Sequence, residues 1–149
     1  MRIILASDHA GRKTREAIRK HLSAQGHQVE ALGPESDEKV DYPDFAAPAA
    51  ARVSSGEFDR GVFVCGTGMG MEIVANKIPG IRAVAPYDDY TAQMSRAHND
   101  ANVACFGERS IPAERAIHLL DVWLKTPFEG GRHARRVEKI REIEKKCGP

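Results

Sequence analysis

The sequence predicts an α/β fold: a doubly wound, Rossmann-like, mostly parallel sheet of about five strands, with helices on both faces and a C-terminal extension helix. Three observations carry this expectation. Short apolar runs (residues 3–6, 62–65 and 102–106) alternate along the chain with segments of helical apolar spacing. The runs are nearly continuous rather than alternating, as in strands buried on both faces. Polar or glycine-rich clusters follow them, where open α/β sheets place their ligands.

Each element has a local cause. Ile3-Ile4-Leu5-Ala6 reads as the first strand and ends in Ser7-Asp8-His9-Ala10-Gly11. Residues 13–24 carry Ala17, Ile18 and Leu22 at helical spacing and close at Gly26. Residues 28–32 read as a short strand before the turn signal Gly33-Pro34, and residues 35–41 as a polar surface loop. A helix is expected from Tyr42-Pro43-Asp44 through the Ala-rich segment to Ser54-Ser55-Gly56. Strand 62–65, a glycine loop and a helix through Ile73, Val74 and Lys77 come next, ending at Pro79-Gly80. A fourth strand is expected over 81–85, a helix over 88–97 and a fifth strand over 102–106. Pro112 is placed in the first turn of a helix with Ile117, Leu120 and Leu124 on one stripe. Gly130-Gly131 separates a last helix, where Val137, Ile140 and Ile143 form an apolar face on a charged background, suited to its own domain or to a partner chain. The 149 residues suit one domain, with no repeat, linker or low-complexity segment.

Composition narrows the classes of function. Lys and Arg number 22 against 21 Asp and Glu, so no global field draws the chain to nucleic acid or an anionic membrane. Any anion site must be local. Cys65, Cys105 and Cys147 are widely spaced with no C-x-x-C pair, which argues against a disulfide scaffold and fits a reducing compartment. No long apolar run reads as a membrane span or signal peptide, and a cytoplasmic location is expected.

The chemistry centres on Cys65-Gly66-Thr67-Gly68-Met69-Gly70, between a buried strand and a helix start. Alternate glycines let backbone approach a ligand closely, and successive N–H groups there suit an oxygen anion. The pattern is neither G-x-G-x-x-G nor a P-loop. By itself the loop fits either a ligand cradle or a turn that needs glycine for packing. Asp8-His9 end another strand, so the two clusters can converge at the carboxyl edge. His98-Asn99-Asp100 end a helix entering the fifth strand. Arg132 and Arg136 share a helix face and can clamp a phosphate. Each has a plainer alternative: a capping histidine, or arginines on a solvated face among many other charges. No His-x-x-x-His or Cys-x-x-Cys pair supplies a metal shell, so no metal or cofactor is expected.

These residues carry a resemblance. Ser7-Asp8-His9-Ala10-Gly11, Asp41-Tyr42-Pro43, the loop 65–70, Ala75-Asn76-Lys77, Gly80-Ile81-Arg82-Ala83, 98–102 and Gly130-Gly131-Arg132-His133 together resemble, in order and over nearly the whole chain, the ribose-5-phosphate isomerase B family. That family also contains the galactose-6-phosphate isomerase subunits. The resemblance implies a metal-independent aldose–ketose isomerase that interconverts ribose 5-phosphate and ribulose 5-phosphate. It also implies a homodimer, with pairing into tetramers left open, whose sites are shared across the interface. Cys65 corresponds to the base, and the loop amides are expected to draw its thiol toward neutrality. His98 corresponds to the acid that opens the sugar ring. Thr67 and the amides of Gly66, Gly68, Met69 and Gly70 would hold the enediolate. Asp8, His9 and Asn99 would bind hydroxyls or phosphate, Arg109, Arg132 and Arg136 the phosphate, and Tyr42 would line the site. Where some members carry a carboxylate base this chain has Met71, with Glu72 one residue on, turned by roughly 100°. Residues 85–89 depart from the family pattern. Allose 6-phosphate is an alternative substrate, and a nucleotide- or sugar-phosphate-binding module without catalysis is an alternative class.

Overall fold

The structure is a computed structural model that describes residues 1–147. Its strands are β1 (Arg2–Ser7), β2 (Gln28–Leu32), β3 (Arg60–Cys65), β4 (Ala83–Val84) and β5 (Val103–Gly107). Its helices are α1 (Arg12–Ala24), α2 (Pro43–Ser54), α3 (Met69–Ala75), α4 (Asp89–Ala97), α5 (Ala113–Lys125) and α6 (Arg132–Cys147). The strands form one sheet in the order β2-β1-β3-β5-β4, with every pair parallel. The expected architecture is therefore the one found, with α1, α4 and α5 on one face and α2 and α3 on the other.

Strand periodicity divides the core in two. Ile4, Ala6, Phe63, Cys65 and Cys105 face the small side chains of α2 (Ala46, Ala49, Ala50) and Met71 and Ala75 of α3. Ile3, Leu5, Val62, Val64 and Phe106 face Ile18 and Leu22 of α1, Ala92 of α4 and Leu119, Leu120 and Trp123 of α5. The alanines of α2 let that helix lie close to the sheet, whereas Trp123 fills the opposite layer.

The structure corrects three expectations of detail. The fourth strand was expected over 81–85 and forms only at Ala83–Val84. Side-chain amides take its remaining backbone groups: Asn76 brackets Ala83, donating to its carbonyl and accepting from its N–H, both at 2.9 Å. Asn102 Oδ1 accepts from Arg82 N–H at 2.8 Å, and Pro86 has no N–H to continue the ladder. The buried stripe of α5 is Ala116, Leu119, Leu120 and Trp123, with Ile117 and Leu124 at its margin. Burial of the large indole has turned the helix by about one residue, roughly 100°. Pro112 stands at the N-cap with ψ 150°, just outside the first turn.

On α6 only Val137 of the expected apolar face is buried, while Ile140 and Ile143 are 39% and 60% exposed. The helix is tied instead by Glu144, which accepts from Gly80 N–H at 3.2 and 3.1 Å. Ile140 and Ile143 line a cavity of about 430 Å³ with Ile81 and Ala83 at the β4 edge.

One close approach fixes the entry to α1. A Cβ on Gly11 would lie 2.4 Å from the Val64 carbonyl oxygen, a backbone atom that cannot yield cheaply. Gly11→Ala is expected to lower stability by about 1–3 kcal/mol through overpacking, read by urea denaturation against wild type.

Candidate active site

Parallel polarity sorts the candidate residues into two groups. β1, β3 and β5 end side by side, Ser7 pairing with Val64 and Cys65 with Gly107. Asp8, His9, the loop 65–70 and Arg109 therefore gather at the carboxyl edge of the sheet. α4 runs back to the other edge, where His98 caps it before β5 begins at Val103. α5 returns likewise, and Arg132 opens α6 there. The length of β5 separates the groups, roughly 13 Å at strand rise. Within one chain Cys65 and His98 belong to opposite edges.

At the carboxyl edge, Cys65 is 5% exposed and its Sγ accepts from Gly68 N–H at 3.2 Å. Gly68 holds φ +83°, a conformation that favours glycine, and turns its amide onto the sulfur. Thr67 is exposed, and its hydroxyl accepts from Met69 N–H at 3.4 Å. A Cβ at Gly70 would come within 2.8 Å of the Tyr42 ring, and one at Gly66 within 3.5 Å of the Arg109 side chain. Gly70 thus admits the Tyr42 phenol, while at Gly66 a Cβ would make only ordinary contact with Arg109. Arg109 is also anchored by its backbone, which donates to the Gly66 carbonyl at 3.0 Å. Asp8 Oδ1 accepts from Ala10 and Gly11 N–H at 2.9 and 3.0 Å, so the carboxylate holds the turn that presents His9.

The segment that departs from the family pattern borders this loop. Ala85, Pro86 and Tyr87 line a cavity of about 310 Å³ with Thr67, Met69 and Glu72. Cys105 lines it too, although its thiol is buried, and burial pushes its pKa well above the ordinary value.

At the amino edge, His98 stacks on His133 with ring centroids 4.0 Å apart and planes 5° from parallel. Glu129 approaches both Nε2 atoms, at 3.8 Å and 3.6 Å. Burial, and next the neighbouring His98, push the His133 pKa down from its usual range. Asn99 is exposed, with its carbonyl accepting from Arg82 Nε at 2.9 Å. Asp100 has φ +47° and takes charge-assisted bonds from Arg82 and Arg96 at 3.0 and 2.7 Å. Arg132 and Arg136 are exposed on α6.

The sequence reading missed His133 and Glu129, although their i, i+4 spacing on either side of Gly130-Gly131 was a usable signal. With His98 their ligand atoms lie within 4.8 Å of one another, a convergence the expectation of no metal shell overlooked. The ring geometry opposes a shared ion. Parallel stacked imidazoles aim their lone pairs side by side, whereas a tetrahedral metal needs them aimed at one point.

Comparison with known proteins supplies the class. The family profile described as Ribose/Galactose Isomerase matches residues 3–140. Ribose-5-phosphate isomerase B of Escherichia coli (strain K12) is 45% identical over 145 residues, covering 97% of each chain. The structure of ribose-5-phosphate isomerase B from Clostridium thermocellum superposes with a TM-score of 0.96 at 50% identity, covering 98% of this chain and 99% of that one. That of the Mycoplasma genitalium enzyme with bound ribulose-5-phosphate gives 0.93 at 40% identity, covering 98% and 97%. The chain belongs to the ribose/galactose isomerase family, and its class is that of an aldose–ketose isomerase.

Thiol chemistry offers a direct check of these environments. Iodoacetamide at mildly alkaline pH is expected to label exposed Cys147 quickly and to leave Cys105 unmodified until denaturant is added, read by peptide mass spectrometry.

Proposed function

We propose that the chain interconverts D-ribose 5-phosphate and D-ribulose 5-phosphate, with Cys65 as the base that carries a proton between carbons 1 and 2. The observation that carries this reading is Cys65 seated inside the glycine loop, its sulfur accepting from Gly68 N–H. A thiolate there removes the proton from carbon 2 of the open-chain aldose. The electron pair moves onto the carbonyl oxygen, and the resulting enediolate oxygens are held by the Thr67 hydroxyl and the amides of the loop. Transfer of the O2 hydroxyl proton to O1 and return of the carbon proton to carbon 1 then give the ketose, with its carbonyl at carbon 2 and a hydroxyl at carbon 1. The steps balance without oxidant or cofactor, and donors aimed at the oxyanion do the work a Lewis acid would otherwise do. Asp8 and His9 hold the sugar, Arg109 the phosphate, and Tyr42 closes the side of the loop.

His98 supplies the ring-opening proton, because an imidazole is well matched to that task near neutral pH. Its place at the other edge of the sheet leads to a homodimer in which the carboxyl edge of one copy faces the amino edge of the next. His98, Asn99, Arg132 and Arg136 then reach the loop of the neighbouring chain. With no helix of the described residues long and apolar enough to cross a membrane, a cytoplasmic enzyme is the simplest setting.

Two measurements test the reading. In excess EDTA, purified protein is expected to convert ribose 5-phosphate, and Cys65→Ala to lower kcat by about 10²–10⁴, the usual contribution of a positioned base. A silent wild type overturns the pentose assignment and makes allose 6-phosphate the next substrate. Cys65→Ala and His98→Ala chains, each inactive alone, are expected after unfolding and co-refolding to regain about a quarter of wild-type activity, since mixed dimers keep one intact site. No recovery would place both residues in one chain's site or remove one of them from the reaction.

A further inference from the structure

The polar segment between β2 and α2 is bound to the first turn of α1 and to the site. Arg15 is 4% exposed, and its Nη2 donates to the Pro34 carbonyl at 3.2 Å. Its guanidinium lies close against Gly33, where a Cβ would fall 2.0 Å from Nη1. Arg12 donates from Nε and Nη2 to Asp37 Oδ1 at 3.0 and 2.8 Å. Held at these points, the segment brings Val40 N–H to His9 Nδ1 at 3.3 Å. From the other side, Asp8 fixes the backbone on which His9 stands.

A backbone amide can only donate. The contact with Val40 therefore requires a bare Nδ1, and a neutral ring must carry its single proton on Nε2. A second proton would have to enter at Nδ1, where it would meet the Val40 N–H head on. Asp37 is engaged by Arg12, whose guanidinium holds its pKa below the ordinary value. On the ring, Nε2 lies beyond Cε1 from Nδ1, so its N–H is aimed elsewhere than at the Val40 amide.

We propose that the Val40 amide sets the tautomer of His9, so that His9 meets the sugar phosphate as a neutral Nε2–H donor. Residues 33–40, pinned by Arg15 and Arg12, position that donor. The proposal rests on the reading of His9 as a substrate-binding residue. It assigns the positive charge at the phosphate to arginine and leaves His9 a directional role. A phosphate or hydroxyl oxygen fits such a donor, whereas a substrate amine or amide N–H does not.

Long-range ¹H–¹⁵N spectra of ¹⁵N-histidine-labelled protein test this directly, at a pH well above the imidazole range and with His9 assigned by its loss in His9→Gln. Wild type is expected to show His9 with a pyridine-like Nδ1 and a pyrrole-like Nε2. Val40→Pro, which removes the N–H, is expected to mix the tautomers and, as the donor-competent fraction falls to about one half, to raise KM for ribose 5-phosphate about twofold, with a smaller effect on kcat. Val40→Ala keeps the amide and is expected to match wild type in both readouts. A pyrrole-like Nδ1 in wild type overturns the proposal, as does Val40→Pro with unchanged tautomer and KM. If Val40→Pro does not fold, the wild-type spectrum decides. Absence of turnover by wild type would count against the isomerase reading alone. The spectrum, with a titration of inorganic phosphate as the binding readout, would still decide the tautomer.

Discussion

The common polarity of the five strands is the constraint on which the arrangement depends. Since β1, β3 and β5 all end at one edge, the groups that follow them meet without long connections, and Asp8, Cys65 and Arg109 gather at that edge although about two thirds of the chain lies between the first and the last. The same polarity obliges every crossover helix to deliver its C-terminus to the opposite edge. α4 and α5 deposit His98 and the Gly130-Gly131-Arg132-His133 segment there, and α6 is fastened along that side by Glu144 on Gly80. One chain thus presents two chemically distinct surfaces, one rich in loop amides and one rich in imidazole and guanidinium.

The amide-rich surface is built by close approach more than by strong contacts. Gly70 leaves room for the Tyr42 ring, while Gly68 takes the left-handed conformation that turns its N–H onto sulfur. Two of the three alternate glycines therefore have two different physical reasons. The pattern, which matches neither a dinucleotide loop nor a P-loop, answers at these two positions to a thiol and an aromatic ring.

Much of the fold was legible because the strands are continuous apolar runs and the helices are punctuated by glycine and proline. β2 was bounded correctly, and β1, β3, β5 and α1 to within a residue or two. β4 was overread because the side chains of Asn76 and Asn102 satisfy its backbone, a long-range substitution that periodicity does not register. The face of α5 was misjudged because Leu120 suits either stripe and only the packing of Trp123 decides between them. In the candidate site, Cys65, Asp8 and His9 could be grouped from the sequence, since strand ends in a parallel sheet converge. The pairing of His98 with His133 and Glu129 could not, since it depends on two helices returning to the same edge.

The short motifs that run through the chain divide into two kinds once their partners are known. Asn76, Arg82, Asp100 and Asn102 bind backbone or one another and assemble the β4 edge and the turn into β5. The side chains of Cys65, Thr67 and His98 take no part in that edge. Most of the letters by which this architecture announces itself are therefore carpentry, and a descendant could lose its thiol or imidazole while keeping every one of them. Such a chain would still fold, still present the recess between Thr67 and Tyr87, and still be recognised as kin. It would be free to serve as a sensor or a store for phosphorylated sugars, and the short step between enzyme and receptor is built into which residues hold the frame.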